Sequence, residues 1–324
     1  MANWNNLTMK KTSGPIVFFG NERIATGVST PASTLQKLLA AGYRVAAVVA
    51  KQEHGASSHK PRELEVARIA QTHGIPVLLP NRLRDIKAQL GEYQAPIGVL
   101  VAYGKIITQD VIDIFPCGIV NVHPSLLPLH RGPTPLESVI LQGEPETGVS
   151  IMRLAKEMDA GPVYAQTTLS LTGAETKQAL ADRLLDMGGD LLVQVLPGIL
   201  DSTFDPKPQD NTKATYDGLI RKEDGRIDWR KPAAQIAREI RAYAIWPQSR
   251  ATLGSLEVII TRAHDVPTNT PGGKPGDIEV VADTNILMVE CSEGSLCVER
   301  LKPAGKNEMP VSAFVAGYKR ILEL

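Results

Sequence analysis

The sequence predicts an α/β protein, in which a doubly wound parallel sheet of Rossmann-like type is followed by a small β-barrel of the OB-like, oligonucleotide-binding kind. Three observations carry this reading. Between Pro15 and Asn121, short β-branched apolar runs alternate with stretches of helical spacing, the pattern of βαβ units. Beyond Pro232, five β-prone runs are parted by Gly, Pro and Asn-rich turns, and short strands of that kind close most economically as a small barrel. The chain has 324 residues, and at about 150 residues per domain that length suits two domains. The expected layout is a catalytic domain over 14–200, a linker over 201–217 and a carboxyl-terminal domain over 218–324.

The apolar runs of the first domain are Ile16 to Gly20, Val45 to Ala50, Pro76 to Leu79, Ile97 to Gly104 and Gly118 to His123. Continuous runs of this length suit strands buried on both faces. Helices are expected over Pro31 to Ala41 and Arg62 to Thr72, the second with Leu64, Ala67 and Ala70 at helical intervals. A long helix follows from Thr172 to Ile199, with Thr172 as cap, Glu175 reaching back to it, and Leu180, Leu184, Met187, Leu191 and Val195 as its buried stripe. Pro232 opens another amphipathic helix, with Ala233, Ile236, Ala237, Ile240 and Ala244 facing in and Arg238, Glu239 and Arg241 facing out. The later strands are Gln248 to Leu253, Leu256 to Ala263, Gly276 to Ala282, Ile286 to Glu290 and Leu296 to Pro303.

Composition narrows the class. Hydrophobic residues make up 43% and charged residues 22%, values of an ordinary soluble protein. Lys plus Arg and Asp plus Glu both number 35, so no global field favours a polyanion, and any nucleic acid must be held by a local patch. The three cysteines form no C-x-x-C pair and have no His at zinc-ligand spacing, so no metal is expected and a reduced, cytoplasmic setting is. Met1 to Ser13 lacks the apolar core of a signal peptide, and no apolar run approaches the ~18 residues of a membrane span.

Motifs of phosphate binding are poor. Gly20 and Gly27 lack dinucleotide-site spacing, and no phosphate loop, G-x-S-x-G elbow or H-E-x-x-H is present. What remains is NVHPSLLP at Asn121 to Pro128, HRGPTP at His130 to Pro135 and DAGPV at Asp159 to Val163. Singly, Asn121 reads as a strand terminator, His123 as a satisfied half-buried histidine and Asp159 as a turn cap. Together they read differently: Asn121 and His123 differ by two positions, so both point to one face of a strand end. In such sheets ligands sit beyond the carboxyl ends of the strands, so Gly20, Gly104 and His123 are all candidates for one cleft.

NVHPSLLP, the following R-G-x-x-P, Glu146 to Met152 (ETGVSIM) and DAGPV resemble the formyltransferases that use 10-formyltetrahydrofolate. KEDGRIDW (Lys222 to Trp229), IRAYAIWP (Ile240 to Pro247) and LKPAGKNEMP (Leu301 to Pro310) resemble the branch that formylates methionyl initiator tRNA. The resemblance runs from about Ile16 to Tyr318. It implies a catalytic trio of Asn121, His123 and Asp159. Formyl transfer to an amine passes through a tetrahedral carbon bearing an oxyanion, for which Asn121 and His123 supply donors while Asp159 orients His123 or relays a proton through water.

The resemblance also implies 10-formyltetrahydrofolate as co-substrate, lined by Ser125, Leu126, Leu127 and Pro128 and by Ala102, Tyr103, Gly104 and Ile106. Read on their own, Ile106, Leu126 and Leu127 are core residues. Methionyl initiator tRNA is the implied partner, acted on by a monomer, with Lys51, Lys60, Arg62, Lys213 and Arg241 as distributed contacts. Three departures from the family pattern stand out. The loop after the second strand sets only Lys51, Lys60 and Arg62 against Glu53 and Glu63, the first-strand turn reads Gly20-Asn21-Glu22, and Ala244-Ile245 precede Trp246-Pro247. A formyltransferase acting on a nucleotide-linked amino sugar and a non-catalytic folate- or RNA-binding protein are the alternative readings.

Overall fold

A computed structural model describes residues 14–21, 26–28, 32–52, 64–267, 273–281 and 286–322, with backbone alone for 319–321. It divides into two compact units: Met1–Gly132 with Thr147–Leu169 and Ala181–Tyr216, and Pro133–Glu146 with Ser170–Leu180 and Asp217–Leu324.

The first unit is built on β1 (Ile16–Gly20), α1 (Ser33–Ala40), β2 (Val45–Val49), α2 (Glu65–Thr72), β3 (Val77–Leu78), α3 (Lys87–Glu92), β4 (Ile97–Val101), α4 (Gln109–Ile112) and β5 (Ile119–His123). Helix α5 (Pro135–Gln142) belongs to the second unit, and β6 (Glu146–Arg153), β7 (Val163–Ser170) and most of α6 (Lys177–Leu200) return to the first. The sheet order is β3-β2-β1-β4-β5-β6-β7. Strands β1 to β5 pair in parallel, as their apolar runs predict, and every residue of β1 and β5 is buried. The parallel order is not kept to the edge: β6 runs antiparallel to β5, setting Asn121 opposite Met152 and His123 opposite Ser150. An antiparallel edge on a doubly wound sheet is common, and β7 shows the polar alternation of a half-exposed edge strand.

Several local expectations shift. Helix α2 buries Val66, Ile69 and Ala70, whereas Ala67 lies at its margin. In α6 the buried line after Leu184 is Gly188, Leu192, Leu196 and Ile199, so Met187, Leu191 and Val195 sit at the flank. The cause is Gly188, which lets the helix backbone approach β5 so closely that an added Cβ would overlap Val122 Cγ1. Thr172 and Glu175 do hydrogen-bond, at 2.6 Å from the Thr172 amide, but they close a turn before the helix. The cap of α6 is Thr176, whose hydroxyl accepts from the Ala179 amide.

The second unit holds α7 (Ala233–Ala242), β8 (Ser249–Leu253), β9 (Leu256–Val266), β10 (Ile278–Val281), β11 (Ile286–Glu290), β12 (Ser295–Pro303), β13 (Met309–Pro310) and α8 (Val311–Leu322). Its antiparallel sheet runs β10-β11-β12-β9-β8, with β13 on β12. Ile236 and Ile240 of α7, Val258 and Ile260 of β9, Leu296 and Val298 of β12 and Phe314 of α8 form its core. Burying each such side chain contributes roughly 1.5–3 kcal/mol.

Helix α7 differs from its sequence reading on both faces. Ala244 lies beyond its end and is exposed, while Glu239 is buried and takes an ion pair from Lys231 at 2.7 Å. Helix α5 also packs on α7 and receives a 3.1 Å hydrogen bond from Arg238 Nε at the Leu141 carbonyl.

Candidate active site

Strand β5 ends between two partners, so the side chains of Asn121 and His123 emerge together at the carboxyl edge of the sheet, 7% and 5% exposed. His123 Nε2 lies 3.0 Å from the carbonyl of His130. A carbonyl only accepts, so Nε2 carries the hydrogen, and in the neutral ring the lone pair resides on Nδ1. Nδ1 faces Asp159 Oδ1 at 3.8 Å. That separation exceeds hydrogen-bond length but keeps a carboxylate beside any proton that Nδ1 acquires. The His123 N–H is therefore committed to His130, and only a protonated Nδ1 could donate elsewhere. Asn121 makes no side-chain hydrogen bond among the described residues, and its amide is left over for something else.

Asp159 sits in the β6–β7 connection with φ of 49°, a left-handed conformation that costs a non-glycine residue about 1–3 kcal/mol unless its surroundings hold it. They do. Its Oδ2 accepts from the Gly132 amide at 2.9 Å and its carbonyl accepts from Gln209 Nε2 at 2.8 Å. Gly161, two residues on, passes so near the Arg153 carbonyl that an added Cβ would overlap it.

The segment after β5 is a cradle fixed by β6 and β7. Ser150 Oγ donates to the Ser125 carbonyl at 2.6 Å and accepts from the Leu127 amide at 3.0 Å, while Gln166 Nε2 reaches the Leu127 carbonyl at 2.8 Å. Ser125 is fully buried and donates to the Leu129 carbonyl. Leu127 is 4% exposed, and Leu126 and Pro128 lie at the margin. Sequence reasoning missed Ser150 and Gln166; the signal for Ser150 was its place in ETGVSIM, on the face shared with His123.

Beyond β4, Ala102 and Gly104 both take positive φ, 48° and 70°, turning the chain sharply around Tyr103. Tyr103 packs edge-on against Phe19 and is 1% exposed. Its hydroxyl has no partner among the described residues, and burial pushes its pKa up to about 12, so it persists as a neutral donor. Ile106 is 89% exposed, the opposite of a core residue.

Of the five basic residues singled out from sequence, Lys60 and Arg62 lie outside the described residues. Lys51 is exposed after β2. Lys213 is 75% exposed in its side chain and lies 3.5 Å from Asp210. Arg241, expected to face out, is half-buried: Nη1 turns back to the Ala237 carbonyl, Nε is buried without a partner, and desolvation lowers its pKa. A further cation, Lys105, escaped notice. It donates to the carbonyls of Pro80 and Asn81 at 2.8 and 3.0 Å, and burial, with Lys51 nearby, lowers its pKa. Among the described residues no cluster of three or more His, Cys, Asp or Glu side chains could hold a metal, and no helix is long and apolar enough to cross a membrane.

Residues 17–196 match the family described as formyl transferase, and residues 219–319 match the formyl transferase C-terminal domain. The chain belongs to the formyl transferase family. Among the relatives, the methionyl-tRNA formyltransferase of Chloroflexus aurantiacus is 37% identical over 307 residues, covering 93% of this chain and 96% of its own. That of Pelobacter propionicus is 35% identical, covering 94% of each. The fold is shared with the N-formyltransferase from Helicobacter canadensis, solved with folinic acid and dTDP-3-aminofucose. That match has a TM-score of 0.65 at 18% identity and covers 88% of this chain and 98% of the other. HypX from Aquifex aeolicus, solved with tetrahydrofolic acid, matches with a TM-score of 0.61 at 18% identity over 95% of this chain and 47% of its own. The formyltransferase thus carries both family domains, and its chemistry is formyl group transfer.

Proposed function

We propose that this formyltransferase moves the formyl group of 10-formyltetrahydrofolate to the amino group of methionyl initiator tRNA, with Asn121, His123 and Asp159 as the reacting constellation. The observation that carries the reading is the committed Nε2–H of His123, which leaves a basic Nδ1 beside a carboxylate and next to an unpartnered amide. Relatives sharing 35–37% identity over nearly the whole chain are named methionyl-tRNA formyltransferases, whereas the Helicobacter canadensis N-formyltransferase shares 18%.

The residues beyond β4 and β5 fit a folate donor. Tyr103 offers an orphan buried hydroxyl, the Ala102–Gly104 turn exposes backbone groups, and Ile106 and Leu126 supply apolar surface for a flat ring. When bound, the folate supplies an activated formyl carbon.

Each side chain then has one task. Asn121 directs its amide N–H to the oxygen of that carbon, where negative charge develops as the amine attacks. His123 accepts the proton that the amine sheds, at Nδ1, because Nε2 is already bonded, and returns it to the folate nitrogen as the bond from that nitrogen to the formyl carbon breaks. Asp159 places its carboxyl group beside Nδ1, where it faces the proton that the ring takes up and holds the ring in place. Lys51, Lys60, Arg62 and Lys213 contribute phosphate contacts, and the unit of residues 218–324 helps to hold the acceptor arm.

The test incubates the protein with 10-formyltetrahydrofolate and either methionyl-tRNA or an aminosugar nucleotide, and weighs the products. Mass gain of one formyl group on methionine supports the reading. Because each phosphate contact lowers log affinity by about 0.7–0.9 per log unit of salt, KM for tRNA should rise with salt. Formylation of the amino sugar alone would overturn it.

A further inference from the structure

Arg131 is the largest fully buried side chain among the described residues, 1% exposed, in a stretch that the catalytic reading leaves without a task. Its guanidinium meets neutral acceptors. Nε and Nη2 donate to Gln209 Oε1 at 3.1 and 2.7 Å, Nη2 to Asn211 Oδ1 at 2.7 Å, and Nη1 to Tyr216 Oη at 2.8 Å, with the Tyr216 ring 5.5 Å away. Burying a cation is costly, and three amide and hydroxyl partners are a modest return unless the arrangement serves something else.

The two neighbours of Arg131 show what it serves. The carbonyl of His130 takes the Nε2–H of His123, and the amide of Gly132 donates to Asp159 Oδ2. One dipeptide step to either side of the guanidinium therefore grips one member of the acid–base pair. Gln209 completes the circuit: the same side chain that receives Arg131 donates from Nε2 to the carbonyls of Asp159 and Gly161, at 2.8 and 2.6 Å. Thr215 closes the other side, accepting from the His130 amide at 2.7 Å while its own backbone bonds Arg131 and Pro128. Both His130 and Asp159 hold positive φ, 58° and 49°, conformations that these bonds maintain.

We propose that Arg131 and Gln209 are a positioning pair that fixes the distance and angle between His123 and Asp159, and that residues 209–216 are thereby part of the catalytic machinery. The proposal rests on the assignment of His123 and Asp159 given above. Gln209 is suited to this as no charged residue is, because it must accept from a guanidinium at one end and donate to two carbonyls at the other. Neither side chain touches substrate; both act through the backbone of 130–132 and 159–161.

Three variants of the full chain test it: Gln209→Ala, Gln209→Glu and Arg131→Lys. Gln209→Glu is the informative one. It pairs more strongly with Arg131 and so keeps the 201–216 segment anchored, but it cannot donate to the Asp159 carbonyl. Expected are folded proteins by circular dichroism, kcat reduced by about 10 to 100-fold in both Gln209 variants, and KM for the formyl donor within about twofold, since misplacement of reacting groups acts on the chemical step. The pH profile of kcat should shift as well. Repeating Gln209→Ala in an Asp159→Ala background should give no further loss. Normal kcat in Gln209→Glu, or a full additional loss in the Asp159→Ala background, would overturn the proposal. Undiminished turnover of Asp159→Ala itself would instead remove the catalytic assignment beneath it. If Arg131→Lys fails to fold, the Gln209 variants decide.

Discussion

Lys177 and Glu137 form an ion pair at 3.2 Å in which the two side chains are 0% and 1% exposed, the most buried salt bridge among the described residues. Lys177 Nζ also donates to the Trp246 carbonyl, so the pair ties the first turn of α6 to α5 and to the turn after α7. Burial lowers the Lys177 pKa, and Glu137 opposes that shift.

From this pair, Lys177→Met alone should destabilise the protein by about 3–5 kcal/mol, because it leaves Glu137 as an uncompensated buried charge. The double variant Lys177→Met with Glu137→Gln should recover most of the loss, as a neutral pair needs no counter-ion. Denaturant unfolding of the three proteins measures this. Equal stability of single and double variants would contradict it.

Asn121→Ala should lower kcat by about 10² to 10³ with little change in melting temperature, as expected for loss of one oxyanion donor. Asp159→Asn keeps an acceptor for the Gly132 amide, so it should fold normally yet lose turnover with the charge beside His123. Steady-state kinetics and a thermal melt on each variant separate the two effects. Wild-type kcat in either would sink the corresponding role.

Gly188→Ala should cost about 1–3 kcal/mol, despite alanine's better helix propensity, because the new methyl would overlap Val122 on β5. The displacement falls one residue from both Asn121 and His123, so kcat should drop as well. An unchanged melting temperature would show that α6 can move away freely.

Cys291 is 6% exposed and burial pushes its pKa up to about 11. At pH 8 only about one thiol in a thousand is ionised there, so alkylation of Cys291 in the native protein should be negligible and should rise about tenfold per pH unit below that value. Mass spectrometry after iodoacetamide treatment, with and without denaturant, reads this directly. Rapid native labelling of Cys291 would contradict its burial.

What the sequence by itself determined are features that need only local physics. The β-branched runs at Ile16, Val45, Ile97 and Ile119 became β1, β2, β4 and β5, since such segments can be satisfied only inside a sheet. The period-two spacing of Asn121 and His123 put both on one face, and the run of turns after Pro232 announced a second domain of short strands, whose pairing the structure shows to be antiparallel. The short helices α3 and α4 escaped because six and four residues carry too little periodicity, and the burial of Glu239 depended on tertiary packing that periodicity does not register. The stripe of α6 was displaced because Gly188, which no hydrophobic count values, became the contact with β5. Nothing in the linear pattern joined Arg131 to Gln209, or chose which nitrogen of His123 holds its proton. Those were decided by backbone carbonyls and amides, groups that every residue carries and that acquire identity only once tertiary structure sets them 3 Å from a partner.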